Sequence, residues 1–372
     1  MDVDASGNRD GGDGSGGDGQ GRGNEGTGGG GRTGGDEGML GGGEGHGTGE
    51  RPMRVVVTGG AGFIGANLCR ALLASEAVGA VTVLDDLSSG RRENLADLGG
   101  VELVEASILD PDALAGAVQG AASVVHLAAR PSVARSLADP PATHEANATG
   151  TLRVLEAARL AGVEQVVVAS SSSVYGPHAT LPSAETHAPA PASPYAASKL
   201  AAESYALAWQ RSFGLGVLAL RFFNVFGPLQ PAGHAYAAVI PAFAAAALAG
   251  EPLPLDGDGS QTRDFTYVGS VVALLVDAVE RRLSADTPVN LAFGSRRSLR
   301  DVISALESLL DRPLALERRP PRPGDVPHSQ ADTTLLRSLF PDARPVPFED
   351  GLAETLRWMR SELAARPTAR GR

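Results

Sequence analysis

Residues 55–65 read Val-Val-Val-Thr-Gly-Gly-Ala-Gly-Phe-Ile-Gly, and few folds accommodate such a run. Three consecutive β-branched residues make a short strand buried on both faces, the kind found inside a parallel sheet. Thr58 ends the strand, and Gly59, Gly62 and Gly65 follow at three-residue spacing as the chain enters an amphipathic helix over Phe63–Leu73. Gly59 permits a tight turn, Gly62 lets the backbone approach a pyrophosphate, and Gly65 allows the helix to pack close on the strand. The first helical N–H groups then face the phosphates, where the helix dipole favours negative charge. A glycine-rich turn without a ligand is the bland alternative. The acid at the tip of the next strand argues against it.

The remaining composition excludes more than it selects. The chain has 372 residues, a formal net charge of −11 and one cysteine, so it holds one large α/β domain with a smaller lobe, or two domains. Cys69 cannot form an intramolecular disulfide, and its apolar neighbourhood predicts a buried, inert thiol. The acidic balance argues against nucleic acid as a partner. No apolar run is long enough to span a bilayer, and no charged-then-apolar leader opens the chain, so a cytoplasmic protein is expected. Residues 1–52 are glycine-rich and polar, with almost nothing to bury, and are expected to be a disordered, dispensable tail. Translation from Met53, one residue before the first strand, is an alternative start.

From Met53 the pattern alternates strand and helix. Strands are predicted over 81–85, 101–105, 123–127, 165–169 and 216–220, and long helices over 142–161 and 194–213, with a further helix capped near Asp110-Pro111. Parallel strands with helical crossovers give a doubly wound sheet, a Rossmann-type α/β fold, over 53–223. Beyond Asn224 the rhythm loosens, and 224–372 are expected to form mainly a smaller substrate lobe.

Two groups carry chemistry. Asp85 stands at the tip of the second strand, where a carboxylate accepts hydrogen bonds from ribose hydroxyls and repels a 2′-phosphate, selecting NAD over NADP. Arg91 and Arg92 nearby would pull the other way. Tyr195 and Lys199 lie four residues apart, on one helix face, and a nearby cation favours phenolate, far below the usual tyrosine pKa of about 10. Residues 170–176, Ser-Ser-Ser-Ser-Val-Tyr-Gly, end the preceding strand and offer a hydroxyl to the same reacting oxygen. No Cys/His cluster suggests a metal.

The motifs Thr-Gly-Gly-Ala-Gly-Phe-Ile-Gly, His126-Leu-Ala-Ala129, Ser-Ser-Ser-Val-Tyr-Gly, Tyr195-x-x-x-Lys199, Arg221-Phe-Phe-Asn-Val-Phe-Gly-Pro228 and Arg263-Asp-Phe-Thr-Tyr-Val268 occur in that order. As a set they resemble the extended short-chain dehydrogenases/reductases of the nucleotide-sugar epimerase/dehydratase group, and most the UDP-glucose and UDP-N-acetylglucosamine 4-epimerases. The resemblance implies that Phe63 and Ile64 flank the NAD pyrophosphate and that Asp85, Asp86, Leu87, Ser88, Ser89 and Gly90 surround its adenosine ribose. It places Leu127, Ala128 and Ala129 along the cofactor, with Asn147 and Phe223 near the nicotinamide half. Ser107-Ile108 stands where the family commonly has Asp-Ile against the adenine, which weakens that contact.

The resemblance further implies catalysis by Ser171, Tyr195 and Lys199. Tyr195 takes the proton of the sugar 4′-hydroxyl, Ser171 bridges the oxygen, and Lys199 stabilises the phenolate and holds the nicotinamide ribose. Asn224, Arg263 and Arg322 match positions on the UDP pyrophosphate, and Asp325 a ribose contact. Ser172, Tyr236 and Val239 join the substrate contacts, and Ser329 stands against the sugar's C2 substituent. Dehydratases of the group carry an Asp-Glu pair where this chain has Ser172-Ser173, which disfavours them. A UDP-glucuronate 4-epimerase stays open, because Arg130 or Arg135 would suit a carboxylate. So does a non-catalytic NAD-sensing protein, although such proteins typically lose the Tyr/Lys pair. A homodimer through the two long helices is expected.

Overall fold

The computed structural model describes residues 52–232, 238–320 and 326–365. Six strands follow one another at the start: β1 (Met53–Thr58), β2 (Val78–Asp85), β3 (Val101–Glu105), β4 (Ser123–His126), β5 (Gln165–Ser171) and β6 (Gly216–Phe222). Helices α1 (Phe63–Leu73), α2 (Pro111–Val118), α3 (Val133–Ala138), α4 (Pro140–His144), α5 (Gly150–Leu160) and α6 (Pro194–Phe213) connect them. The chain then runs through β7 (Asn224–Phe226), α7 (Val239–Ala249), β8 (Leu253–Asp256), β9 (Thr262–Arg263), β10 (Phe265–Tyr267) and α8 (Val268–Glu280). It closes with β11 (Val289–Leu291), β12 (Arg297–Ser298), α9 (Leu299–Leu310), β13 (Leu316–Arg319), α10 (Thr334–Leu339) and α11 (Phe348–Ala365).

Seven strands form one parallel sheet in the order β3-β2-β1-β4-β5-β6-β11. The direction of winding reverses between β1 and β4, which is where a doubly wound sheet opens a crevice at its carboxyl edge. The valine run of β1 explains the two-sided burial. Val55 and Val57 pack with α1 and α8 on one face, while Val56 packs with α2 and α5 on the other, as the period of two requires. Cys69 of α1 is fully buried in the first of these layers, and burial pushes its thiol up to about 12.

Local sequence sets the helix ends. The Asp110 carboxylate accepts from the amides of Asp112 and Ala113 at 3.0 and 3.1 Å, with Pro111 at the first helical position of α2. Ser193 and Pro194 begin α6 in the same way, and Gly214 in the left-handed region ends it. The helix expected over 142–161 is interrupted. Glu145–Thr149 form a π-type turn between α4 and α5, a local widening that tends to mark functional regions.

The expected boundary near residue 223 is crossed twice. β11, from beyond it, completes the main sheet against β6, and α8 covers the same face as α1. The rest of the C-terminal half has its own core, in which Phe226, Phe265 and Phe348 make edge and tilted ring contacts of 5.3 to 6.4 Å beneath α7, α9 and α11.

The glycine turn is tight enough to test. A methyl on Gly65 would lie 2.6 Å from the Gly60 Cα, whereas one on Gly99 meets nothing within 4 Å. Gly65→Ala is expected to cost about 1–3 kcal/mol by overpacking, read as a lower urea midpoint. Gly99→Ala should stay within about 0.5 kcal/mol. Equal midpoints for the two variants would refute this account of the turn.

Candidate functional site

A cleft of about 800 Å³ opens at the carboxyl edge of the sheet, where β1, β4, β5 and β6 end. One end is the glycine turn. Gly59 has φ +72°, and a Cβ there would come within 2.7 Å of the Ala128 amide nitrogen, so only glycine permits this approach of two strand ends. Gly59, Gly62, Phe63, Ile64 and Gly65 line the cleft, as do Asp85, Asp86, Ser88 and Ser89, then Ser107 and Ile108, then Leu127, Ala128 and Ala129, and at the far end Ser171, Tyr195, Lys199 and Phe223. The size, the bare glycine turn and the strand-tip carboxylate all suit a dinucleotide.

Three expected cofactor contacts do not line that cleft, and each is otherwise employed. Asn147 is buried; its Oδ1 accepts from the Arg130 amide at 2.7 Å and its Nδ2 donates to Ser198 Oγ at 2.9 Å. It braces the loop after β4 against α6 from within the π-type turn. Leu87 donates its amide to Asp85 Oδ1 at 2.9 Å, and Gly90 packs behind, where a Cβ would meet Ala61 and Asp85. Asp85 itself is more committed than its place at a strand tip suggests. Its Oδ2 accepts from the Ala61 amide at 2.9 Å, tying β2 to the glycine turn, and burial raises its pKa against the pull of both amides. Of Arg91 and Arg92, the two candidates for a 2′-phosphate, Arg92 pairs with Glu105.

At the other end the Ser171 Oγ accepts from the Ser173 amide at 3.2 Å and lies within hydrogen-bonding reach of the Tyr195 phenol. Lys199 is buried and its Nζ donates to the Ala169 carbonyl at 2.8 Å. The expected lowering of the phenol by Lys199 does not hold within the fold. Burial raises Tyr195, the Ser171 hydroxyl pulls the other way, and burial brings Lys199 itself down to about 8. Desolvation thus sets the direction of the Tyr195 shift, over the four-residue spacing to Lys199.

The substrate contacts expected from 224 onward fall in two groups. Tyr236, Arg322 and Asp325 lie outside the described residues. Asn224, Val239, Arg263 and Ser329 are described but are not among the walls of the cleft, nor is Ser172. The fold does bring Arg263 and Ser329 together: the Ser329 amide donates to the Thr262 carbonyl at 3.1 Å, and the Arg263 guanidinium donates to that carbonyl at 2.9 Å. Asn224 is one bond away, its amide on the Asp264 carbonyl at 3.2 Å.

Some groups escaped the sequence reading. His126 is held between Thr58 Oγ1 at 2.7 Å and Thr151 Oγ1 at 2.9 Å, and burial pulls its pKa down to about 3, so it is a neutral tie between β1, β4 and α5. Arg221 and Glu203, both buried, form a bidentate pair beside Ser170. The signal for Glu203 was its spacing, a third member of the series Tyr195, Lys199, Glu203 on one helix face.

The family model of the NAD dependent epimerase/dehydratase family matches residues 55–292. A UDP-glucose 4-epimerase of Mycolicibacterium smegmatis is 39% identical over 83% of this chain and 99% of its own length. The solved UDP-N-acetylglucosamine 4-epimerase of Methanobrevibacter ruminantium, in complex with UDP-N-acetylmuramic acid, superposes with a TM-score of 0.79 at 35% identity, over 84% of this chain and 100% of its own. A UDP-glucuronic acid 4-epimerase of Bacillus cereus, solved with NAD and a fluorinated UDP-glucuronic acid, gives a TM-score of 0.77 at 29% identity, over 83% and 100%. Relatives named as dTDP-glucose 4,6-dehydratases match at similar identity, among them one of Streptomyces niveus at 34% over 84% of this chain and 94% of its own.

Asp264 yields a prediction. It is fully buried beside Arg263; Oδ2 accepts from the Ala331 amide at 3.0 Å, while Oδ1, facing the Gly294 and Ser295 amides, finds no well-aligned donor. Burial pushes its pKa from 3.8 up to about 7. Between these values the folded carboxyl keeps a proton that the unfolded one has lost, so its contribution to stability falls as pH rises through that window. Asp264→Asn removes the titration and keeps the acceptor. The melting temperature of the variant relative to wild type should climb from about pH 4 to pH 7 and then level off. A constant difference would contradict the assignment.

Proposed function

The chain belongs to the NAD dependent epimerase/dehydratase family, and on that premise we propose that it inverts C4 of a UDP-hexose, either UDP-glucose/UDP-galactose or UDP-GlcNAc/UDP-GalNAc. The observation that carries the reading is the far end of the cleft. There Ser171, Tyr195 and Lys199 converge, and the two residues after Ser171 are serines rather than the acids that elimination at C5 and C6 would use.

When bound, NAD supplies a hydride acceptor at C4′ and returns the hydride to the opposite face. The glycine turn, Phe63 and Ile64 would hold its pyrophosphate, and Asp85 its adenosine ribose. Tyr195 takes the proton from the 4′-oxygen and later restores it, and Ser171 fixes that oxygen with a hydrogen bond. Lys199 has two N–H donors left after its bond to Ala169; its charge stabilises the phenolate once the proton has left. By the resemblance of the motifs, Asn224, Arg263 and Arg322 would serve the UDP pyrophosphate, Asp325 its ribose, and Tyr236 and Val239 the uracil. Ser329, small and beside Arg263, leaves room for an N-acetyl group at C2. A second copy of the chain packs on α5 and α6, where Leu160 and Phe213 stay 70% and 53% exposed and Tyr205, Trp209 and Phe213 stack in edge contacts of 6.0 and 5.3 Å.

One observation favours UDP-glucuronate as a second reading. Arg135 lines the cleft and its guanidinium has no partner among the described residues, whereas Arg130 is paired with Asp139 at 3.3 Å.

UDP-glucose, UDP-GlcNAc and UDP-glucuronate assayed in parallel for C4 inversion discriminate these readings, and turnover of none would favour a binding protein. Tyr195→Phe should lower kcat by at least about 10²-fold while the denatured variant still releases NAD; near-normal turnover would remove Tyr195 from the mechanism. Ser329→Tyr should abolish inversion of UDP-GlcNAc and spare UDP-glucose, and equal treatment of both sugars would move the gate elsewhere.

A further inference from the structure

Three consecutive residues at the end of β5 meet three residues on one face of α6, two of them through hydrogen bonds. The Ala169 carbonyl accepts from Lys199 Nζ at 2.8 Å, Ser170 Oγ donates to Glu203 Oε2 at 2.7 Å, and Ser171 reaches the Tyr195 phenol. Strand alternation explains the middle bond: Ser170 follows Val166 and Val168 onto the face that α6 covers. Glu203 cannot swing away to suit another partner. Arg221 of β6 grips it through two bonds, Nε to Oε2 at 2.9 Å and Nη2 to Oε1 at 2.7 Å. Arg221 is fixed in turn, with the Tyr175 ring centred 4.6 Å from its guanidinium carbon and the Tyr175 hydroxyl donating to Asn290 of β11 at 2.6 Å. Ser170, Lys199, Glu203, Arg221, Tyr175 and Asn290 are buried, where a polar network specifies one arrangement, while Ser171 and Tyr195 are half-buried at the cleft.

We propose that Ser170, Glu203 and Arg221 are positioning residues for the reaction: the pair holds Ser170, and Ser170 pins the end of β5 so that Ser171 stays in register with the phenol of Tyr195. The inference rests on the roles given above to Ser171 and Tyr195, and it adds what sets the spacing between them. The ionisable groups around this face are His126 of β4, Lys199 on α6, the Glu203–Arg221 pair, and Tyr175 and Glu185 beside Arg221. A change at Ser170 adds no charge near the phenol. It acts on the phenol through the placement of Ser171.

The test uses the full chain with its NAD and the variant Ser170→Ala, which leaves the Glu203–Arg221 pair intact. Turnover of a UDP-sugar should show kcat lower by about tenfold, a fraction of the ~10²-fold that a 1 Å misplacement can cost, with KM unchanged. The phenolate ultraviolet signal of Tyr195, isolated by subtracting the same titration of Tyr195→Phe, should move to higher pH. Wild-type kcat together with an unmoved titration overturns the proposal. A fall in kcat with the titration unmoved overturns it as well, since a merely structural loss would behave so. Should the wild-type chain invert no UDP-sugar, the functional reading fails by itself, and the phenol titration still decides whether Ser170 sets the spacing.

Discussion

The cleft is referenced to one close approach of two backbones. With no Cβ at Gly59, the end of β1 comes against Leu127 and Ala128 at the end of β4, and the crevice of the doubly wound sheet opens between them. Asp85 secures this corner from the third side by accepting the Ala61 amide. His126, uncharged in its pocket, ties β1 and β4 to α5 through two threonine hydroxyls. The dinucleotide end is thus assembled from backbone contacts and neutral ties, and its side chains add selectivity to a shape already made.

The other end of the cleft is built on a different principle. It relies on buried charge. Arg221 and Glu203 are each almost fully enclosed, and removing one member of such a pair typically costs about 3–5 kcal/mol because the other is left uncompensated. A well-packed apolar pair would serve stability as well or better. What the ion pair supplies is direction, because a bidentate guanidinium–carboxylate fork admits one geometry. Lys199 shows the cost of the same enclosure, its ammonium drawn down to about 8 by burial. Burial also acts on the phenol beside it, raising it against the pull of the Ser171 hydroxyl.

Much of this was legible in the sequence, and what was not has a common cause. The valine run, the glycine spacing, the Asp110-Pro111 cap and the Tyr195/Lys199 pair are local patterns, and each structural element they imply is present. The pairing of Glu203 with Arg221 joins a helix to a strand through burial, which no local spacing encodes. Asn147 matched a motif position, yet its amide serves the loop at Arg130 because the π-type turn carries it inward. The lowering of the Tyr195 phenol was misjudged because spacing reports proximity, whereas desolvation depends on everything packed around the group. β11 is three residues long, too short to carry a periodic signal, and only its pairing with β6 reveals it.

That last strand has a consequence for how the molecule is made. β6 ends at Phe222 and its outer neighbour begins at Val289, so the sheet keeps a bare edge until the intervening segment has been synthesised. Ribosomes add roughly 5–20 residues per second, which leaves that edge open for some seconds in every nascent chain. An unpaired row of N–H and C=O groups is a template for another strand. The strand concerned, Gly216–Phe222, is almost wholly apolar apart from Arg221.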